Sequence, residues 1–362
     1  MELARKPVLG IKPYIPGKPI EEVKRELGIE GDIIKLASNE NPLGPSPRAI
    51  DAVKRMLNSL HLYPDDASFY LKNKLSEHLN IPVDYIITGN GSVELIHLVA
   101  KACINPGEKV VLSKPTFIMG KIESQIFEAE LVELPVKGNR HDIDAIIDAL
   151  DDKTKLLYID NPNNPLGSMI TAEELDRVVK SLPENTLLVV DEAYREYITR
   201  EDFPDTIDYV RKGLNVVVLR TFSKIYGLAG LRIGYGIARP EIINILLRVR
   251  LPFNVNSIAQ KAAIAALDDT EHVERSRKLV EEGKRFLYKE FEKMGINYIP
   301  SEANFVTIKL EMDAKEINSK LMKKGIIARP LNPYGLKNYL RITIGTLEEN
   351  VKFIDALKEI IT

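Results

Sequence analysis

In the middle of the chain, short runs of apolar residues alternate with segments in which apolar residues such as Leu95 and Val99 recur at helical spacing. The following runs are predicted to be strands: Tyr85–Thr88, Lys109–Leu112, Lys155–Ile159, Thr186–Val190 and Asn215–Leu219. Strands of this kind, apolar on both faces, are typical of a parallel sheet covered by helices on each side. The pattern therefore predicts a doubly wound, mostly parallel α/β domain.

From about Pro252 onward the pattern changes. A long charged helical stretch, Glu271–Met294, precedes strand-like Asn304–Leu310, a helix over Ala314–Lys324 and a strand over Leu340–Ile344. These features indicate a smaller α+β domain. We therefore predict a large domain over residues 46–251 and a small domain over 252–362. Residues 1–45, rich in Pro and Gly, are predicted to form an arm with little regular structure that partly joins the small domain.

The charge balance and the cysteine count exclude several classes of partner. Among 362 residues, 50 Lys and Arg offset 52 Asp and Glu, so the net charge of −2 argues against a nucleic acid or an acidic membrane surface. Cys103 is the single cysteine, and five scattered histidines suggest no metal site. We see no export signal at the N-terminus and no apolar run near the ~20 residues that span a bilayer. A cytoplasmic protein is expected.

Polar motifs follow three of the predicted strands. These are Asp160–Gly167, which reads Asp-Asn-Pro-Asn-Asn-Pro-Leu-Gly, Asp191–Tyr194, which reads Asp-Glu-Ala-Tyr, and Arg220–Lys224, which reads Arg-Thr-Phe-Ser-Lys. Taken singly, each could be a turn, a helix cap or a surface segment. Taken together they are more specific, because the carboxyl ends of strands in an open α/β sheet form its binding crevice.

The residue types of these motifs match the functional groups of pyridoxal 5′-phosphate (PLP). A lysine can form a Schiff base with its aldehyde, and an aspartate can keep its ring nitrogen protonated. Asn and Tyr can hydrogen-bond its phenolate oxygen, while Thr221, Ser223 and Arg232 can bind its phosphate. The turn Gly89–Ser92 opens a helix whose free N–H groups add a further phosphate cradle. That turn lacks the third glycine of a dinucleotide-binding fingerprint, so we give a dinucleotide little weight.

With these motifs, the sequence resembles the fold-type I PLP-dependent aminotransferases over nearly its whole length. The resemblance begins at Lys12–Tyr14 and Pro16–Val23, continues through Leu36–Gly44 and Tyr63–Asp65, and ends at Leu340–Thr346. It implies that Lys224 is the catalytic Schiff-base lysine and that Asp191 pairs with the pyridine nitrogen.

The resemblance also implies the other cofactor and substrate contacts. The remaining cofactor contacts would come from Asn164 and Tyr194 at the phenolate oxygen, Phe117 stacked on the ring, and Ser92, Val93, Thr221, Ser223 and Arg232 at the phosphate. Tyr63 would reach the phosphate of a neighbouring subunit, which implies a homodimer with a shared active site. The substrate would meet Arg329 and Arg341, with Tyr14 and Asn39 at the mouth of the site.

Four positions depart from the family pattern. Leu166 stands where the Asn-Pro motif normally has Thr, Val93 replaces a common acidic residue, and Phe117 replaces a common Tyr. Gly120 stands where the family often has a larger, frequently aromatic residue. Phe117 keeps the stacking face but loses a hydroxyl. The departures bear on the substrate pocket more than on the cofactor.

Within the family, Tyr14–Val23 and Leu340–Thr346 favour transamination of histidinol phosphate, a phosphorylated amine, with the 2-oxo acid 2-oxoglutarate. Threonine-phosphate decarboxylation and aromatic amino-acid transamination remain alternatives, because those enzymes share the PLP residues. Acyl-CoA condensing relatives generally have His where Phe117 stands. A PLP-binding transcriptional regulator would need a DNA-binding domain ahead of Ser38–Gly44, where little chain is present.

Overall fold

The computed structural model describes residues 3–361. Within these residues the strands are β1 (Ile34–Lys35), β2 (Ile86–Gly89), β3 (Lys109–Lys114), β4 (Glu130–Pro135), β5 (Thr154–Asp160), β6 (Leu187–Asp191), β7 (Val216–Thr221), β8 (Gly234–Ile237), β9 (Asn297–Ile299), β10 (Phe305–Lys309), β11 (Ile326–Ile327), β12 (Arg329–Pro330) and β13 (Tyr339–Thr343). The helices are α1 (Lys6–Leu9), α2 (Ile20–Leu27), α3 (Pro47–Met56), α4 (Phe69–Leu79), α5 (Ser92–Cys103), α6 (Ile118–Ile126), α7 (Ile143–Ala149), α8 (Ala172–Lys180), α9 (Thr206–Arg211), α10 (Pro240–Leu247), α11 (Ser257–Leu267), α12 (Thr270–Lys293), α13 (Ala314–Lys323) and α14 (Leu347–Ile361).

The predicted strands in the middle of the chain form a seven-stranded sheet in the order β2-β8-β7-β6-β5-β3-β4. Neighbours from β7 to β4 pair in parallel, and β8 runs antiparallel to both β7 and β2. Alternate side chains of the inner strands enter opposite cores: Leu157 belongs to one buried cluster, and Leu156 belongs to the other. This confirms the predicted α/β fold, with a sheet buried on both faces.

The C-terminal part contains a four-stranded antiparallel sheet in the order β12-β13-β10-β9. Thr346 and Glu349 form a capping box at the start of α14, since the Glu349 carboxylate accepts from the Thr346 amide and the Thr346 hydroxyl accepts from the Glu349 amide. Helix α11 lies beyond residue 251 but packs against α3 and α4. The domain boundaries at residues 45 and 251 stay a prediction.

The N-terminal arm has more regular structure than the sequence predicted. Helix α2 spans Ile20–Leu27, and its Val23 is buried together with Ile33, Ala37 and Ile327. Strand β1 pairs in parallel with β11, where Ile34 faces Ile326. The prediction was wrong here because Pro and Gly residues flank a short amphipathic helix, and this helix gains its stability from tertiary packing.

No helix within residues 3–361 is long and apolar enough to cross a bilayer.

Candidate active site

A cavity of about 390 Å³ lies at the carboxyl edge of β5, β6 and β7. Its volume is in the range of small-molecule sites in proteins. Of the residues predicted to bind the cofactor, the cavity is lined by Ser92, Val93, Phe117, Asn164, Asp191, Tyr194, Thr221, Ser223, Lys224 and Arg232. The three polar motifs meet there because β5, β6 and β7 are consecutive neighbours in the sheet.

Lys224 follows β7 and carries its amine into this cavity. Its Nζ donates to the Ser38 carbonyl oxygen at 3.2 Å and lies 5.7 Å from the centre of the Tyr194 ring. Burial, together with the positive charge of Arg341, lowers the pKa of Lys224 to about 8. A neutral amine is therefore readily available at this position, and it is the neutral form that attacks a carbonyl carbon or accepts a proton.

The lowered pKa predicts how Lys224 reacts in the cofactor-free protein. Below pH 8 the amine is mostly protonated, so its rate of reaction with PLP should rise with pH and level off above about pH 8. An ordinary lysine would keep gaining rate up to about pH 10.4. Stopped-flow absorbance measures the rate. Dividing this rate by the rate of a free alkylamine, itself corrected to the alkylamine's neutral form, removes the ionisations of PLP. A rate ratio that has its midpoint at the ordinary lysine pKa would contradict the prediction.

Asp191, the last residue of β6, is a buried carboxylate on the cavity wall. Its Oδ2 accepts from the Tyr158 hydroxyl at 2.9 Å, and its Oδ1 accepts from the Ala193 amide at 3.2 Å. The adjacent Glu192 pairs with the Arg220 guanidinium at 2.8 Å, and Asp191 faces the cavity instead. Burial raises the pKa of Asp191 to about 7, against the effect of the Tyr158 hydrogen bond. A buried carboxylate of this kind is stabilised by a cation in the cavity.

The Tyr194 hydroxyl is held between two amides. It accepts from Asn39 Nδ2 at 2.8 Å and from Asn164 Nδ2 at 3.4 Å. Burial raises the pKa of Tyr194, so the hydroxyl keeps its proton at neutral pH. Because both lone pairs face amide donors, the proton is free to be donated to an oxygen in the cavity.

The part of the cavity between the start of α5 and Arg232 can accept an anion. Helix α5 begins at Ser92 without a side-chain cap, so its first amides lack acceptors within the helix. Gly91 has φ +77°, and a Cβ there would lie 2.6 Å from Arg232 Nη2, while a Cβ on Gly234 would lie 2.7 Å from the Ser92 amide nitrogen. Glycine at both positions lets the Arg232 guanidinium and the helix N-terminus approach the same space.

The donors and acceptors of this cavity fit PLP. Lys224 would provide an amine for the aldehyde, Asp191 an anion for the ring nitrogen and Tyr194 a proton for the phenolate oxygen. Thr221 and Ser223, whose hydroxyls lie 3.0 Å apart, stand beside Arg232 and the start of α5 for the phosphate. Each group of the cofactor therefore has a partner of the opposite polarity.

The two predicted substrate arginines lie opposite each other on β12 and β13 but have different surroundings. Buried Arg341 donates from Nη1 to Asn164 Oδ1 at 2.5 Å and from Nη2 to the Ala37 carbonyl oxygen at 2.9 Å. Arg329 lines a second cavity of about 520 Å³ together with Tyr14, and its Cζ lies 5.9 Å from the centre of the Tyr14 ring. Arg341 thus contacts the first cavity through Asn164, and Arg329 lines the second cavity.

Tyr63 lies outside both cavities in this single chain. Its side chain is 83% exposed and stacks on Phe253 with ring centres 4.7 Å apart. This position is compatible with a contact to another subunit, which stays a prediction.

Two buried residues at the cavity were assigned no role from the sequence: Tyr158, which lies behind the cavity wall, and Asp160, which is part of it. Tyr158 holds Asp191, and its ring also accounts for Gly120, since a Cβ on Gly120 would lie 2.9 Å from Tyr158 Cδ1. Asp160 ends β5 in register with Asp191, which ends β6. Two neighbouring strands that both end in Asp form a signal that the sequence did contain.

Comparisons with known proteins agree with this geometry. The chain matches the family model described as aminotransferase class I and II over residues 31–357. It is 48% identical to the histidinol-phosphate aminotransferase of Moorella thermoacetica, with 99% of this chain and 92% of the relative covered. It is 47% identical to the enzyme of the same name from Caldicellulosiruptor saccharolyticus, with 99% of each chain covered. The crystal structure of histidinol-phosphate aminotransferase from Sinorhizobium meliloti in complex with pyridoxal-5′-phosphate is similar, with a TM-score of 0.91, 29% identity and coverage of 100% of this chain and 98% of that chain.

Proposed function

This chain belongs to the class I and II aminotransferase family, and we propose that it transfers the amino group of L-histidinol phosphate to 2-oxoglutarate. The products are imidazole-acetol phosphate and glutamate, and the reaction is a step of histidine biosynthesis. The observation that carries the proposal is the cavity where Lys224, Asp191 and Tyr194 converge. It is supported by near-half identity, along the whole chain, to two enzymes named for this activity.

PLP is the cofactor of this reaction. When bound, it supplies an electron-withdrawing ring that stabilises negative charge at the amino-bearing carbon of the substrate. Lys224 Nζ is the base that takes the proton from that carbon, and its lowered pKa leaves a larger neutral fraction at physiological pH than an ordinary lysine has. Asp191 keeps a negative charge beside the ring nitrogen, and the Tyr194 hydroxyl donates to the phenolate oxygen.

The phosphate of the substrate is proposed to bind near Arg329. The second cavity is also lined by Lys12 and Lys315, and by Lys121, whose charge is paired with Glu133, so its lining is net positive and attracts anions. Arg329 Nη2 donates to the Ile15 carbonyl oxygen at 2.6 Å, which ties the guanidinium to the N-terminal arm. A planar guanidinium can hold a phosphate or a carboxylate through two hydrogen bonds, which suits an enzyme that accepts both kinds of anion.

Replacing Arg329 with Lys should weaken the reaction of histidinol phosphate. A point charge replaces a bidentate donor, so we expect kcat/KM to fall by about 10–100-fold, equivalent to roughly 1.5–3 kcal/mol. We expect a similar loss for Arg341→Lys. Histidinol without its phosphate should be a poor substrate of the wild type and should be affected much less by either change. The control is Arg177→Lys, which alters an exposed pair with Asp144. If the wild-type enzyme reacts with histidinol as fast as with histidinol phosphate, the proposed anion site at Arg329 is wrong.

The alternatives, threonine-phosphate decarboxylation and aromatic amino-acid transamination, are not favoured. Both relatives that approach half identity over nearly the full chain are named histidinol-phosphate aminotransferase. The alternatives nevertheless differ from the proposed activity only in substrate contacts, so direct comparison of substrates separates them.

The functional unit is proposed to be a homodimer in which Tyr63 completes the partner's site. Support comes from Tyr63 and Phe253, which are exposed and stack on each other. Further exposed apolar side chains lie near these two along the sequence: Leu57, Leu60, Leu62, Phe69, Tyr70 and Leu251. Exposed apolar surface is typical of a protein interface where it is contiguous. We also propose a cytoplasmic location, supported by the biosynthetic reaction and by the single cysteine.

A further inference from the structure

Asp160 lies between two loops that carry predicted cofactor contacts. It is 2% exposed, and each of its carboxylate oxygens accepts two hydrogen bonds. Oδ1 accepts from Thr116 Oγ1 at 2.5 Å and from Asn163 Nδ2 at 3.0 Å. Oδ2 accepts from the amide nitrogens of Phe117 and Asn164 at 3.0 Å and 2.7 Å.

These four donors come from two separate segments of the chain. Thr116 and Phe117 follow β3, whereas Asn163 and Asn164 follow β5, and the two strands are neighbours in the sheet. On each oxygen of Asp160, one hydrogen bond comes from each segment. The carboxylate therefore joins the segment of Phe117 to the segment of Asn164.

Only an ionised carboxylate can fill this role in so small a side chain. It offers about four lone-pair directions and no donor, whereas an amide replaces one oxygen with an NH₂ group. His141 contacts Asp160. Its Nε2 lies 2.9 Å from the Asp160 backbone carbonyl oxygen and 3.5 Å from Asp160 Oδ1. Its Nδ1 lies 2.7 Å from Ser113 Oγ. Burial raises the pKa of Asp160, and this effect is opposed in part by His141 and by the hydrogen bonds that the carboxylate accepts.

We propose that Asp160 is a positioning residue that fixes Phe117 and Asn164 relative to each other across the cofactor cavity. This inference rests on the proposed function, because Phe117 and Asn164 are the residues proposed to contact the ring face and the phenolate oxygen. Asp160 acts through them, and all three residues line the cavity. Its removal should therefore loosen the cofactor and change the cofactor's surroundings.

The test compares the wild-type holoenzyme with Asp160→Ala, Asp160→Asn and Thr116→Val. Asn has the shape of Asp but can satisfy only one pair of donors, and Thr116→Val removes one of the four hydrogen bonds. The control is Asp269→Asn, which alters another buried carboxylate that accepts from Ser46 Oγ and the His272 amide, far along the chain from the site. The measurements are the PLP dissociation constant, the visible circular dichroism of bound PLP and the thermal midpoint.

We expect the PLP dissociation constant to rise about tenfold or more in Asp160→Ala and Asp160→Asn, and less in Thr116→Val. The circular dichroism of bound PLP should change in the same order. Asp269→Asn should lower the thermal midpoint and leave both cofactor measurements unchanged. The inference is overturned if Asp160→Asn binds PLP as the wild type does with the same circular dichroism, or if Asp269→Asn weakens PLP equally. Failure of the wild type to react with histidinol phosphate would instead count against the proposed function alone.

Discussion

The Lys224→Ala variant should lose transamination almost completely, by about 10⁴-fold or more, while still binding PLP without a covalent bond. The substitution removes the amine that attaches the cofactor and the base that moves the substrate proton. The rate of a single half-reaction with histidinol phosphate is the appropriate measurement. Lys278→Ala, whose side chain is 72% exposed, is a matched control and should react normally.

Two further observations make this prediction specific to Lys224. Borohydride treatment of the wild-type holoenzyme should fix the cofactor to the peptide that contains Lys224. In Lys224→Ala, no peptide should carry covalently attached cofactor after the same treatment. An added small amine such as methylamine should restore part of the variant's rate, because it can supply the missing base. Labelling of another lysine, or a Lys224→Ala rate close to that of the wild type, would show that the amine lies elsewhere.

The Asp191→Asn variant should show the second large loss. Asparagine keeps the size of the side chain but removes the negative charge beside the ring nitrogen, so charge that develops in the reaction is less well stabilised. We expect the half-reaction to slow by about 10²–10³-fold with PLP still bound, a loss typical of removing one preorganised electrostatic contact. Near-normal turnover would mean that another carboxylate holds that nitrogen.

The raised pKa of Asp191 adds an independent measurement on the cofactor-free protein. In the folded protein this pKa is about 7, whereas in the unfolded chain it is near 3.9. Between these values the folded state binds the proton and the unfolded state does not, so the free energy of unfolding should fall as pH rises from about 4 to 7. Asp191→Asn should flatten this part of the pH profile, and urea unfolding at a series of pH values measures it.

The position of the site could be predicted from the sequence because its three polar motifs each follow an apolar run. Parallel packing then brings the motifs to one edge, and the structure confirms that β5, β6 and β7 are adjacent. Asp160, Asp191 and Thr221 each end a strand, one or two residues beyond the predicted apolar run. Those polar residues extend the strands because their backbone groups still pair within the sheet.

The features that the sequence did not predict depend on contacts between distant segments. Asp160 joins two loops only because β3 lies beside β5, an order that local patterns do not specify. Gly120 is explained by the Tyr158 ring on β5, and Arg329 lines the second cavity beside Tyr14 of the N-terminal arm. The short helix α2 was missed because its stability comes from packing with Ile33 and Ile327.

The most direct test of the whole account is a half-reaction comparison on the purified holoenzyme, without 2-oxoglutarate. Histidinol phosphate, threonine phosphate, phenylalanine and glutamate are mixed separately with the enzyme, and the absorption change of the cofactor as it accepts the amino group is followed. We expect histidinol phosphate to react with the highest second-order rate constant, glutamate to react as the partner of the reverse half-reaction, and threonine phosphate to release no carbon dioxide. Faster reaction with phenylalanine, or release of carbon dioxide from threonine phosphate, would contradict the proposed function.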